Sequence, residues 1–78
     1  MAKHFGDVFP TLKLDEETTA LLEAATVERI TATKRRDFLR IFLESPRLIT
    51  KDIIFYIEKE IRQQLFPGAV MTVKIRQN

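Results

Sequence analysis

The chain has no cysteine and no tryptophan, one histidine, one serine and two glycines among its 78 residues. Each shortage removes a class of function. Without cysteine there is no disulfide and no thiolate metal centre, which fits a reducing compartment. His4 stands alone, so no second imidazole completes a metal-ligand set or an acid–base pair. Ser45 has no histidine near it in the sequence to activate it as a nucleophile. Gly6 and Gly68 are too far apart to build a glycine-rich phosphate loop. No apolar run approaches the ~20 residues that a transmembrane helix needs. The opening stretch MAKHFGDVFPTLK carries acid and lacks the continuous apolar core of a signal peptide. The expectation is a cytoplasmic, non-catalytic chain with no metal, cofactor, small-molecule ligand or membrane span.

What is present is a balanced globular composition, 45% hydrophobic and 31% charged, enough for one small domain. A chain of this size buries only about 60% of its unfolded surface, so its core is thin. Charge is distributed unevenly. Residues 1–26 set two lysines against five carboxylates, and the remainder sets eleven basic residues against six acidic ones. A basic half attracts either phosphate backbones or an acidic protein surface, unless it is simply solvated.

The order of elements follows from periodicity. Residues 1–13 read as an arm, with Phe5, Val8, Phe9 and Leu12 apolar and Gly6 and Pro10 breaking any regular period. Asp15 is a natural N-cap for a short helix over 15–25, with Glu16 and Glu17 in its first turn, where the helix dipole favours negative charge. That capping role accounts for the carboxylate cluster without invoking acid–base chemistry. The expected apolar stripe of this helix is Leu21, Ala24 and Ala25. Residues 27–34 read as a strand with Ile30 and Ala32 inward; Val27 breaks the parity and marks a strand start or a bulge. Lys34, Arg35, Arg36 and Asp37 form a turn longer than the tightest two-residue hairpin. Residues 38–45 return as a strand, with Leu39, Ile41 and Leu43 toward the core and Phe38, Arg40, Phe42 and Glu44 on the other side. Pro46 ends it.

Thr50 then caps a helix over 51–66, whose stripe of Ile53, Ile54, Ile57, Ile61 and Leu65 recurs at spacings of three and four. Glu58 and Arg62 form an i,i+4 pair on its surface. Exposed aromatics on this helix, Phe55 above all, add a second apolar rim. Pro67 and Gly68 stop it. The last run, AVMTVKIR, alternates Met71, Val73 and Ile75 inward with Thr72, Lys74 and Arg76 outward.

The result is an α-β-β-α-β order, an α+β domain in which a three-stranded sheet carries both helices on one face. The crossover helix predicts a parallel relation between the last two strands. The other sheet face is then open. The expected partner-binding residues are Arg29, Phe38, Arg40, Phe42, Lys74 and Arg76, with Lys34, Arg35 and Arg36 as a secondary basic turn. Such a face could be covered by the arm, meet a protein partner, or stack and hold single-stranded nucleic acid. No GxxG tetrapeptide and no RNP-type strand signature supports the nucleic-acid reading.

The segments VERITATKRRDFLRIFLESPRLI and TKDIIFYIEKEIRQQLFPGAVMTVKI, preceded by a short acidic helix, resemble the N-terminal domain of the PolC-type DNA polymerase III alpha subunit, the replicative polymerase of Firmicutes. The likeness runs from about Leu14 to Ile75, with Leu39 standing where several relatives carry a large aromatic. It implies that 14–78 is one domain of a much longer polymerase chain whose catalytic and exonuclease parts lie elsewhere. It also implies a fold like a truncated type II KH domain and a role in protein contact within the replisome, with the clamp-loader tau subunit as partner.

Overall fold

The computed structural model describes residues 3–35 and 37–77. In chain order these form β1 (Lys3–His4), α1 (Phe5–Val8), α2 (Glu16–Leu22), β2 (Thr26–Ala32), β3 (Phe38–Glu44), α3 (Lys51–Leu65) and β4 (Thr72–Gln77). The sheet therefore has four strands, in the order β1-β2-β3-β4, where the sequence pattern predicts three. The added strand and helix come from the arm. Lys3 and His4 pair antiparallel with Val27 and Thr26, and Phe5 N–H donates to Ala25 O. This short pairing carries Phe5 and Phe9 into the core, 4% and 8% exposed, with their ring centroids 4.9 Å apart. The arm is thus held on the helix side of the sheet, packed with Leu22, Ala25 and Val27, and does not lie over Phe38 and Phe42.

Strands β2 and β3 form an antiparallel hairpin, and β3 and β4 are parallel, as the crossover helix demands. A register shift between Val27 and Arg29 places a bulge at Glu28. The bulge resolves the parity conflict: it lets Val27 and Ile30, an odd number of residues apart, lie on the same side of the sheet. Val27 is buried, but Ile30 is 41% exposed and Ala32 is exposed too. Their direction is the one the alternation predicts, but they extend past the helices that would cover them.

The hairpin loop spans 33–37. It is closed by the Thr33 hydroxyl donating to Asp37 Oδ1 at 2.7 Å and by Asp37 N–H donating back to Thr33 Oγ1 at 3.3 Å. Lys34 and Arg35 are exposed on it, and Arg36 lies outside the described residues.

Helix α2 starts at Asp15, whose Oδ1 accepts from Thr18 N–H at 2.7 Å. Hydrogen bonding to the charged form, first from the Thr18 side chain and then from its backbone N–H, holds the Asp15 carboxyl below its ordinary value of 3.8. The buried face of α2 is Thr18 and Leu22, followed by Ala25, rather than the expected Leu21, Ala24 and Ala25; Ala24 is exposed. The helix ends at Leu22, so the last two alanines fall in a turn and no longer follow its period.

Helix α3 buries Ile54, Ile57 and Ile61 against Ile41, Leu43, Val73 and Ile75. Each fully buried aliphatic side chain contributes roughly 1.5–3 kcal/mol relative to exposure, which makes this stripe the main tertiary bond of the fold. Thr50 occupies the N-cap without a side-chain bond; its carbonyl accepts from Ile54 N–H instead. Gly68 ends the crossover at φ 77°, a left-handed conformation that glycine adopts without strain. Glu58 serves a different partner from the one the helix spacing predicts. Its Oε2 accepts the Ile75 N–H at 2.7 Å, satisfying a backbone donor on the free edge of β4. Further along that edge, Gln77 brackets Ile49, accepting its N–H at 3.0 Å and donating to its carbonyl at 2.6 Å.

Candidate functional site

Alternation along three paired strands builds the open face in rows. Arg29, Phe42 and Arg76 are in register across β2, β3 and β4, so the central ring is flanked by an arginine on each side. The next row is Thr31, Arg40 and Lys74. Beyond it, Phe38 pairs with Thr72, and its carbonyl accepts from Thr33 N–H at 3.2 Å. Neighbouring strands lie about 4.8 Å apart and successive rows about 6.8 Å apart, so the six predicted residues share a compact patch. Phe38, Arg40 and Phe42 are half-buried by their neighbours, and Arg29, Lys74 and Arg76 are exposed. Neither phenylalanine belongs to the core cluster.

Two cation–ring contacts order the patch. The guanidinium carbon of Arg29 lies 4.3 Å from the Phe42 centroid, and that of Arg40 lies 5.3 Å from the Phe38 centroid. Both distances fall within the range in which the ring quadrupole attracts a cation. The rings thereby pre-order two guanidinium groups. Arg40 Nε is buried and has no hydrogen-bond partner among the described residues. A shallow depression of about 140 Å³ is lined by Thr31, Ala32, Thr33, Phe38 and Arg40.

The basic turn sits at the Phe38 end of the patch, with Lys34 and Arg35 exposed beside it. The opposite end carries a feature that strand periodicity alone did not reveal. Glu44 continues the outward row of β3, and the bulge brings Glu28 against it. The neighbouring carboxylate raises the Glu44 carboxyl above its ordinary value of 4.5, first by a shared hydrogen bond and then by charge repulsion. Only the broken parity at Val27 could have pointed to this juxtaposition.

Phe55, the aromatic singled out on α3, is 58% exposed on the far side of the molecule from this face. Among the described residues there is no cluster of histidine and carboxylate groups able to hold a metal ion, and no helix long and apolar enough to cross a membrane. What the open face can do chemically is present cations and aromatic surface to a docking partner.

No curated protein and no solved structure matches the chain. A family model described as DNA polymerase III polC-type N-terminus I matches residues 4–75, which take in most of the arm, the bulge, the open-face residues other than Arg76, and the crossover helix, and the chain belongs to that family.

Proposed function

We propose that this chain is a non-catalytic docking module at the N-terminus of a PolC-type DNA polymerase III, and that its open sheet face binds a protein of the replisome. The single observation that supports the reading most is the row Arg29, Phe42 and Arg76, a pre-ordered cation–aromatic surface that the fold's own helices and arm leave uncovered. Aromatic rings and arginines are the side chains that dominate protein interfaces. The clamp-loader tau subunit is the proposed partner, since a polymerase must be tied to the machinery that loads its clamp. Titrating the domain with tau tests this: Phe42→Ala and Arg40→Glu should each weaken binding. Unchanged affinity in both variants removes the face from the proposal.

A second reading is favoured by the same two open rings and four cations. In it, a KH-like domain binds single-stranded nucleic acid on its sheet, stacking bases on Phe38 and Phe42. Affinity for mixed-sequence oligonucleotides at about 50 and 200 mM salt separates the two, because phosphate-driven binding weakens steeply across that range.

A further inference from the structure

The open face is not uniformly cationic, and its acidic corner narrows the kind of partner it fits. Along β3 the outward side chains run Phe38, Arg40, Phe42 and Glu44, with Glu28 against the last of them. The four cations lie in the two central rows, and two carboxylates, Glu28 and Glu44, close one end. We infer that the face captures an acidic segment of a protein partner. Arg29, Arg40, Lys74 and Arg76 hold its carboxylates, Phe42 receives an apolar side chain between them, and Glu28 with Glu44 shuts the track to a polyanion.

Three observations carry this inference. Arg29 and Arg76 flank Phe42 in register, about 4.8 Å away on either side, so one apolar side chain and two carboxylates are received by a single row. Arg40 lines a depression of about 140 Å³ one row from Phe42, where an incoming carboxylate would meet a guanidinium. A nucleic-acid strand running along β3 would bring a phosphate about every 6–7 Å, and in that direction it meets two carboxylates one row beyond Phe42. A peptide is not bound to repeat its charge, and it can place a basic or neutral residue there. The inference rests on the docking reading and specifies its chemistry.

The test has two arms. In the first, a fluorescein-labelled peptide of sequence Glu-Leu-Glu-Gly-Lys-Gly, hexalysine and oligothymidylate are titrated directly onto the chain at low salt. The Glu-Leu-Glu peptide should bind, shift the amide signals of Arg29, Arg40, Lys74 and Arg76, and lose about tenfold in affinity in the Arg29→Gln/Arg76→Gln double variant. Glu44→Lys should raise oligothymidylate affinity by about tenfold. No binding of that peptide, or wild-type binding of oligothymidylate tighter than of the peptide, overturns the inference.

The second arm measures tau binding in the same double variant and in Phe42→Ala. Loss in both fits acid capture. Loss in Phe42→Ala alone overturns acid capture and leaves the docking reading standing; loss in neither removes that reading as well. Urea midpoints for each variant establish that it is folded. Glutamine replacements keep the side chains polar at positions that are exposed in the wild type.

Discussion

Arg29 stands over the ring of Phe42, 4.3 Å from its centroid, because one extra residue at Glu28 turns it to the open side of the sheet. In a regular strand, Val27 and Arg29 would share a face, and an arginine would point at the core beside Leu22 and Ala25. The bulge therefore both fills the core and assembles the open cation–aromatic face.

Deleting Glu28 should accordingly do more damage than any single surface substitution. It forces either Arg29 inward or Val27 outward, and an arginine turned toward an apolar core brings charge without a partner. The expected loss is at least about 2 kcal/mol, within the range in which a named structural fault separates from ordinary surface changes. Urea unfolding of the deletion variant measures it. A loss no larger than that of Glu28→Ala would mean that the bulge has no organising role.

The two sides of the sheet should respond to truncation in opposite ways. Ile57→Ala removes a fully buried side chain beneath α3 and should cost roughly 2–5 kcal/mol. Phe42→Ala, outside the core cluster, should cost about 1 kcal/mol or less. Equilibrium unfolding of the pair reads the contrast directly, and comparable losses would place Phe42 in the core.

Glu58 is expected to hold the free edge of β4. Its carboxylate accepts the Ile75 N–H at 2.7 Å, and a hydrogen bond to a charged group contributes about 1.5–3 kcal/mol. Glu58→Ala should lower stability by that order and speed hydrogen exchange at Ile75 more than at Ile41, which sits within the paired hairpin. A free β4 edge also offers a template for strand-to-strand association, so the variant should self-associate more readily.

The two perturbed carboxyls give opposite pH signatures. Glu44 has a folded-state value above its ordinary 4.5, so its contribution to stability is full below that value and is lost as pH rises through the folded value. Glu44→Gln should therefore raise the melting temperature near neutral pH and bring little change in acid. Asp15 has a folded-state value below its ordinary 3.8, so its contribution is present above 3.8 and is lost as pH falls through the folded value. Asp15→Asn should lower the melting temperature near neutral pH, with the difference shrinking in acid. Melting curves across that range, with both signs reversed, would contradict the Glu28–Glu44 and Asp15–Thr18 contacts.

How much of this was legible in the sequence differs by element. The alternation of β3 and β4 and the isoleucine stripe of α3 are strong, continuous periods, and they place the open face and its six residues together. The arm was not legible as a strand and helix. Lys3 and His4 pair only because Phe5 and Phe9 find room beside Leu22, a tertiary effect with no local period. The α2 stripe was misplaced by one residue because the helix ends at Leu22, and alanines give little contrast between a buried and an exposed face. Glu58 has two plausible partners by spacing and by topology, and only the crossover geometry brings Ile75 to it. The acidic corner needed the bulge, of which Val27 gave the sole hint.

Amide-resolved mapping of tau binding to the 78-residue chain is the most direct measurement of the central claim, that a one-sided sheet leaves its cation–aromatic face free for docking. The largest shifts are predicted at Arg29, Arg40, Phe42, Lys74 and Arg76, with Phe55 on α3 unmoved. Shifts centred on Phe55 and the outer surface of α3, with the sheet unmoved, would contradict it.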